Sequence, residues 1–302
     1  MELKSPITGC DNISWLRDIE TSYIEEQYSK KFNIDVSFLF RKIKKISIYR
    51  DNDTGYRFYY PFNVSGDSKF YEELQRFEWY YMPWKWEHEK CVELIQDGER
   101  VLEIGCANGE FMDVLQQKRN VETTGLELNE VAVAAGRKKG RNILCQAVQD
   151  HAEDFVGYYD VVCSFQVLEH IAQVRSFIEA NVQCLKKGGK LIFGVPNNDS
   201  FAKYDWKNDL LNMPPHHMGL WNRATFEGIA DVFNIQLISL IFEPLQSYHL
   251  DWYMSILEKR YLTNSLLKKM YYHSRLKRPL KSVIRHNSNN IKGHSILAIF
   301  SI

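Results

Sequence analysis

From residue 101 onward, apolar positions fall into short runs whose period changes in a regular order. Val101, Leu102 and Ile104 form a strand-like run broken only by Glu103; Gly105 and Gly109 then bracket a tight turn, and residues 110–117 continue at helical spacing. The same sequence of strand, turn and helix recurs. Residues 121–126 read as a second strand ending at Glu127, residues 129–139 as a helix stopped by Gly140, and residues 142–145 as a third strand. Residues 159–165 read as a fourth strand. A Gly188–Gly189 turn leads into a fifth, residues 233–242 into a sixth, and residues 294–302 into a seventh. Strands that alternate with helices at this spacing predict a doubly wound α/β sheet.

The N-terminal part reads differently. Residues 14–31 form a candidate helix, residues 46–49 and 56–60 are strand-like, and two polar turns end in Gly9 and Gly55. Residues 70–95 are dense in aromatics, with Pro83 separating two helical segments. The expected organisation is a small α+β domain over residues 1–75 and a larger domain over 76–302, the latter carrying an insert at 243–292. Within that insert, residues 259–292 hold ten Lys and Arg and no Asp or Glu, interleaved with Leu262, Leu266, Leu267, Met270, Tyr271 and Leu276. That pattern predicts an amphipathic basic helix suited to a membrane surface or a phosphate-bearing acceptor.

Composition narrows this picture. Of 302 residues, 45% are hydrophobic and 25% charged, with zero net charge, so there is no global electrostatic case for nucleic acid. The six scattered cysteines contain no Cys-x-x-Cys pair and read as reduced thiols. With no apolar signal region or membrane-length run, the expected location is the cytoplasm, with peripheral membrane contact through 259–292 as the added option.

Chemistry concentrates at the strand ends. Glu103 stands two residues before the first loop glycine, where a carboxylate would repel a pyrophosphate but accept hydrogen bonds from an amine or hydroxyl. Glu127, at the end of the second strand, occupies the position that holds a ribose diol. These features, with Tyr159–His170 containing Leu168-Glu169-His170 and the Gly188–Gly189 turn, resemble the motifs of class I S-adenosylmethionine (SAM) methyltransferases over residues 86–302. The family usually has glycine where this chain has Ala107.

The resemblance implies a Rossmann-like seven-stranded sheet whose last strand runs antiparallel between the fifth and sixth, with SAM as cofactor and methyl transfer as the activity. It places Glu103, Gly105 and Gly109 around the methionine side of SAM, with Cys106 and Ala107 beside them. Glu127 would hold the ribose next to Leu128, and one of Val148, Gln149 and Asp150 would meet the adenine, Gln149 being the candidate. Gln166 would line the sulfonium with Leu168 beneath it, and Tyr81 and Trp86 would reach the pocket from the approach segment. Glu169 reads as an acid at a helix start, and His170 as structural.

Residues 1–75 resemble the zinc-ribbon domain of nucleotide-sugar methyltransferases, with Ser5, Thr8, Asp51 and Thr54 where the ribbon has cysteines. Hydroxyls and one carboxylate do not replace four thiolates, so no metal is expected. Residues 197–223 form a long connection containing Pro214, Pro215, His216 and His217 at the edge where ligands bind. A base near neutral pH suits methyl transfer, making His216 or His217 the candidate general base or acceptor-orienting residue; adjacent histidines are not expected to converge on a metal. The expected acceptor is a small molecule, foremost a sugar in nucleotide-sugar, polysaccharide or glycolipid synthesis. A quinone or lipid at a membrane surface and a non-catalytic partner protein are the alternatives. Exocyclic base amines are disfavoured, because Phe165-Gln166-Val167-Leu168 lacks an Asn/Asp-Pro-Pro motif.

Overall fold

Residues 3–77, 80, 82, 84–274 and 276–302 are described in a computed structural model of the chain. The chain opens with β1 (Ile13–Glu20), α1 (Thr21–Phe32), β2 (Lys45–Asp51), β3 (Arg57–Tyr60), α2 (Ser68–Gln75) and α3 (Trp86–Leu94). The alternating part follows: β4 (Arg100–Ile104), α4 (Glu110–Lys118), β5 (Glu122–Leu126), α5 (Glu130–Lys138), β6 (Ile143–Leu144), α6 (Val148–Asp154), β7 (Tyr159–Phe165), α7 (Val174–Cys184) and β8 (Leu185–Pro196). The rest comprises β9 (Gly219–Leu220), α8 (Arg223–Val232), β10 (Gln236–Pro244), α9 (Leu250–Tyr261), α10 (Ser265–His273), α11 (Lys277–His286) and β11 (Lys292–Ser301).

Seven strands form one sheet in the order β10-β11-β8-β7-β4-β5-β6. The pairs β4/β5, β4/β7, β5/β6 and β7/β8 are parallel, while β11 runs antiparallel between β8 and β10, as expected. The central strands are buried on both faces, which is why β4 and β7 read as nearly continuous apolar runs. At Gly125 in β5 an added Cβ would stand 2.4 Å from Cys106 Sγ and 2.8 Å from Met112 Sδ, so the glycine admits the packing of loop and helix against the strand.

Several boundaries moved. Residues 13–20 are a strand rather than the start of a helix, because they pair antiparallel with β2 from Ile13↔Asp51 to Glu20↔Lys45; tertiary pairing overrides local preference. The sixth strand begins at Gln236, since residues 233–235 still close α8 through Phe233 N–H to Ile229 O and Ile235 N–H to Ala230 O. The basic insert is helical as expected, and among the described residues its helices are α9, α10 and α11. None of the described helices is long and apolar enough to cross a membrane.

The N-terminal strands belong to a second sheet, β1-β2-β3-β9, whose last strand comes from the loop after β8. Tyr56 and Phe58 share a core with Leu102 and Phe193 of the larger sheet and with Trp221, which follows β9. The polar turns at Ser5–Gly9 and Asp51–Gly55 meet. Ser5 Oγ donates to the fully buried Asp51 carboxylate, as does Thr8 Oγ1 at 3.0 Å, while the N–H groups of Asp53 and Thr54 donate to its other oxygen at 2.9 and 3.2 Å. Asp51→Ala strips four donors of their acceptor. It should lower unfolding free energy by about 2–4 kcal/mol in chemical denaturation, against near-neutrality for a control at exposed Asp53.

Candidate active site at the carboxyl edge of the sheet

The loop after β4 turns through two left-handed glycines, Gly105 at φ 70° and Gly109 at φ 85°, with Ala107 between them also left-handed at φ 49°. A Cβ on Gly105 would stand 2.4 Å from Val167 Cγ2, so the loop lies directly against the segment after β7. Gly109 begins α4, whose free N–H groups face this edge. Cys106 turns its thiol into a small core with Met112, Val133 and Ile143, so only its backbone faces the crevice side of the loop.

Glu127 ties the loop to the second strand. Its carboxylate accepts from Ala107 N at 2.9 Å and from Leu128 N and Asn129 N at 2.8 Å each. Leu128 beside it is 70% exposed. Glu103 is the opposite case: it is buried, and its Oε2 has no hydrogen-bond partner among the described residues. Burial, reinforced by the Glu127 charge, pushes Glu103 up to about 8. An unsatisfied carboxylate beside a glycine loop fits a ligand that brings an ammonium or hydroxyl donors. The amino-acid end of SAM is such a ligand.

On the other side of β4, Gln166 ends β7 in the left-handed region at φ 57°, with its N–H on Gly194 O at 2.7 Å. Its Nε2 donates to Glu87 Oε1 at 3.0 Å. Glu87 is buried on α3, where Gly194 lets the helix approach β8 closely: a Cβ there would lie 3.3 Å from Glu87 Cβ. Leu168 is fully buried beneath this corner. Trp86, at the start of α3, packs against the core around Cys91 and Val92. Gln149 lies on α6 with its Nε2 3.4 Å from Ser176 Oγ of α7, so its side chain is directed across the α6–α7 contact. Tyr81 lies outside the described residues.

The third group comes from the long loop. His216 and His217 are buried, and with His170 each places one ring nitrogen within 4.8 Å of the others. The adjacent histidines are closer than expected because their rings stack at 4.5 Å, and the His170 ring meets both edge-on. Backbone carbonyls set the protons. Nδ1 of His170 lies 2.6 Å from His216 O and Nδ1 of His216 lies 2.8 Å from Leu211 O; a carbonyl only accepts, so both histidines carry hydrogen on Nδ1. His216 Nε2 then accepts from the Tyr80 hydroxyl at 2.9 Å. Asn212 Nδ2 donates to Asn198 Oδ1, leaving Asn212 Oδ1 to accept from His217 Nδ1 at 3.1 Å. Nε2 of His217 therefore offers a lone pair, 3.9 Å from Glu169 Oε1.

Glu169 is not at a helix start. It sits in a single 3-10 turn, Leu168–His170, fully buried, with α7 beginning only at Val174; neither carboxylate oxygen has a hydrogen-bond partner among the described residues. Burial pushes Glu169 up to about 8, His170 down to about 4, and His217 well below its ordinary value. All three shifts have the same leading cause, loss of water around the charged form.

Glu103, next to the last residue of β4, thus stands beside the glycine loop, Glu127, Gln166 and the two loop histidines, which lie on segments leaving the carboxyl ends of β4, β5, β7 and β8. Glu87, Glu169 and His170 join them without having been singled out as functional. Leu168-Glu169-His170 was a readable signal, whereas nothing local marks Glu87. A cavity of about 390 Å³ between Ala230 and Ile302 lies at the opposite end of β10 and β11 and is lined by none of these residues.

Residues 78–240 match a family described as a methyltransferase domain. The chain is similar to the ubiquinone biosynthesis O-methyltransferase of Erwinia tasmaniensis, 33% identical over 109 residues that cover 34% of this chain and 44% of that protein. Against the enzyme of the same name from Pseudomonas aeruginosa it is 25% identical over 173 residues, covering 50% and 72%. The aligned region thus spans less than half the length of the first relative. Among solved structures, a SAM dependent methyltransferase from Archaeoglobus fulgidus shares the fold at TM-score 0.50 and 16% identity, over 71% of this chain and 90% of that one.

Two measurements probe the loop. Ala107→Gly relieves a left-handed alanine and should stabilise the protein by about 1 kcal/mol in thermal or chemical unfolding. Glu103→Gln removes an acid whose folded value, about 8, exceeds its ordinary 4.5. The wild type loses stability as pH rises from 4.5 through 8, so the variant should gain nothing near pH 4 and its full advantage above pH 8. Melting curves across that range check the sign.

Proposed function

Because this chain belongs to the methyltransferase domain family and carries the fold of the class I SAM-dependent enzymes, we propose that it methylates a hydroxyl oxygen on a small lipid-soluble phenol. The supporting observation is the buried histidine group at the carboxyl edge, where His217 Nε2 offers a lone pair beside Glu169. A hydroxyl needs proton removal as it attacks, and an uncharged imidazole serves that end. The curated relatives are named O-methyltransferases of ubiquinone biosynthesis, which favours oxygen and a phenolic ring.

When bound, SAM supplies a methyl group on a positively charged sulfur. Glu103 would receive its ammonium, and Glu127 would exchange backbone donors for the ribose hydroxyls. Gln166, braced by Glu87, would line the space between SAM and acceptor. Catalysis is chiefly alignment in a dry crevice. His217 would accept the one proton that the acceptor hydroxyl releases, at Nε2, and pass it to solvent as the product leaves. Glu169, held up at about 8 by burial, keeps its own proton below that pH and adds no like or opposite charge to the step. His216, held by Leu211 O and Tyr80, orients the loop.

A second reading keeps the enzyme class and replaces the phenol with a sugar. Its support is the meeting of Ser5 and Thr8 with Asp51, the arrangement a pair of zinc knuckles would have with cysteines in those places. Isotopically labelled methyl transfer to catechol-type phenols and to nucleotide sugars separates the two: label recovered only in the sugar would replace the first reading. His217→Asn should lower kcat by about 10²–10⁴-fold with SAM affinity unchanged. Glu127→Ala should weaken SAM binding by about 10²-fold in calorimetric titration. Absence of SAM binding by the folded wild type would leave only a non-catalytic partner protein.

A further inference from the structure

The three-helix insert between β10 and β11 carries a surface that the transfer reaction does not use. On α11, Lys277, Lys281 and Ile284 share one stripe that faces α9: Ile284 is buried, Lys277 pairs with Glu258 at 3.0 Å, and Lys281 pairs with Asp251. Leu276, Leu280 and Val283 share a second stripe that faces solvent, Val283 at 58% exposure. On α10 the arrangement repeats. Tyr271 turns inward and donates to Glu258, while Leu266 and Met270, four residues apart, point outward at 63% and 60% exposure.

Exposed large apolar side chains elsewhere stand mostly singly or in pairs along the chain. Here six of them, Leu266, Met270, Tyr272, Leu276, Leu280 and Val283, fall within eighteen residues. Residues 259–292 contain no carboxylate, and Lys268, Lys269, Arg278 and Arg285 make no ion pair among the described residues. The α9 acids that pair with these helices, Glu258 and Asp251, are already engaged by Lys277, Tyr272 and Lys281.

We propose that α10 and α11 form a docking surface for an anionic lipid membrane, their outward leucines, methionine and valine entering the acyl boundary while the unpaired lysines and arginines meet the headgroups. Apolar area and unneutralised basic charge on one short element are the two signals that stable, reversible lipid attachment needs. A second copy of this chain would match the apolar stripe but oppose like charges, whereas an anionic bilayer matches both. The surface does not depend on which acceptor is methylated, although a lipid-soluble acceptor would be met there.

The test is co-sedimentation of the full chain with vesicles of phosphatidylcholine alone and of phosphatidylcholine with one-third phosphatidylglycerol. Association with the anionic vesicles, weak on the neutral ones and reversed by salt, is expected. L266E/M270E/V283E should abolish it. K268A/K269A should weaken it by about fivefold per charge removed. All the altered side chains except Lys268 and Lys269 are exposed apolar groups, so melting temperature and SAM affinity should stay at wild-type values in every variant. Those two readouts separate failure of this proposal from failure of the methyl-transfer reading. Absence of binding to anionic vesicles, or binding that the triple variant leaves intact, overturns the proposal. So does a concentration-dependent dimer abolished by L266E/M270E/V283E without vesicle binding, which would assign the surface to a second copy.

Discussion

The parallel register of β4 with β5 on one side and β7 on the other is the constraint from which the site follows. Leu102 stands opposite both Thr124 and Val162, so the three strands end at one level and their chains must leave the sheet together. A parallel strand end presents backbone groups that no neighbour completes. Glu127 meets those of the glycine loop, and Gly194 O meets the N–H of Gln166. The exits are sharp enough to require left-handed backbone at Gly105, Ala107, Gly109 and Gln166. Strain in non-glycine residues persists only where the surroundings overdetermine it, and here two of the four positions are not glycine.

Charge burial is the second theme. Glu103 and Glu169 lie in the interior with oxygens that have no protein partner among the described residues. Their cost to the folded state is the loss of hydration, and among the described residues neither has an arginine or lysine at ion-pair distance. Such groups are tolerated where a ligand completes them. Functional sites commonly hold such groups at a cost in stability.

The smaller sheet has a part in this arrangement although it carries none of the cofactor-side residues. β9 pairs with β3, Tyr59 N–H bonds Met218 O, and the Tyr59 hydroxyl donates to Asn212 O at 2.8 Å. Met218 N–H in turn bonds Glu169 O at 2.8 Å. The histidine loop is thus held between the N-terminal sheet and the turn after β7. A loop of this length would otherwise carry its histidines on mobile backbone.

By itself the sequence determined the strand-and-helix alternation, the glycine loop, the positions of Glu103, Glu127 and Gln166, and the antiparallel last strand that the family resemblance implies. These are local signals: periodicity over a few residues and a turn that tolerates only small side chains. What it could not determine are contacts between residues far apart along the chain. Gln166 meets Glu87 across 79 positions, and His170 meets His216 across 46. Glu169 read as an acid at a helix start because nothing nearby reveals that α7 begins five residues later. Residues 13–20 read as helix because their partner strand lies beyond α1. Only the tertiary structure decides such cases, because burial and pairing belong to the assembled sheet and to no single stretch of chain.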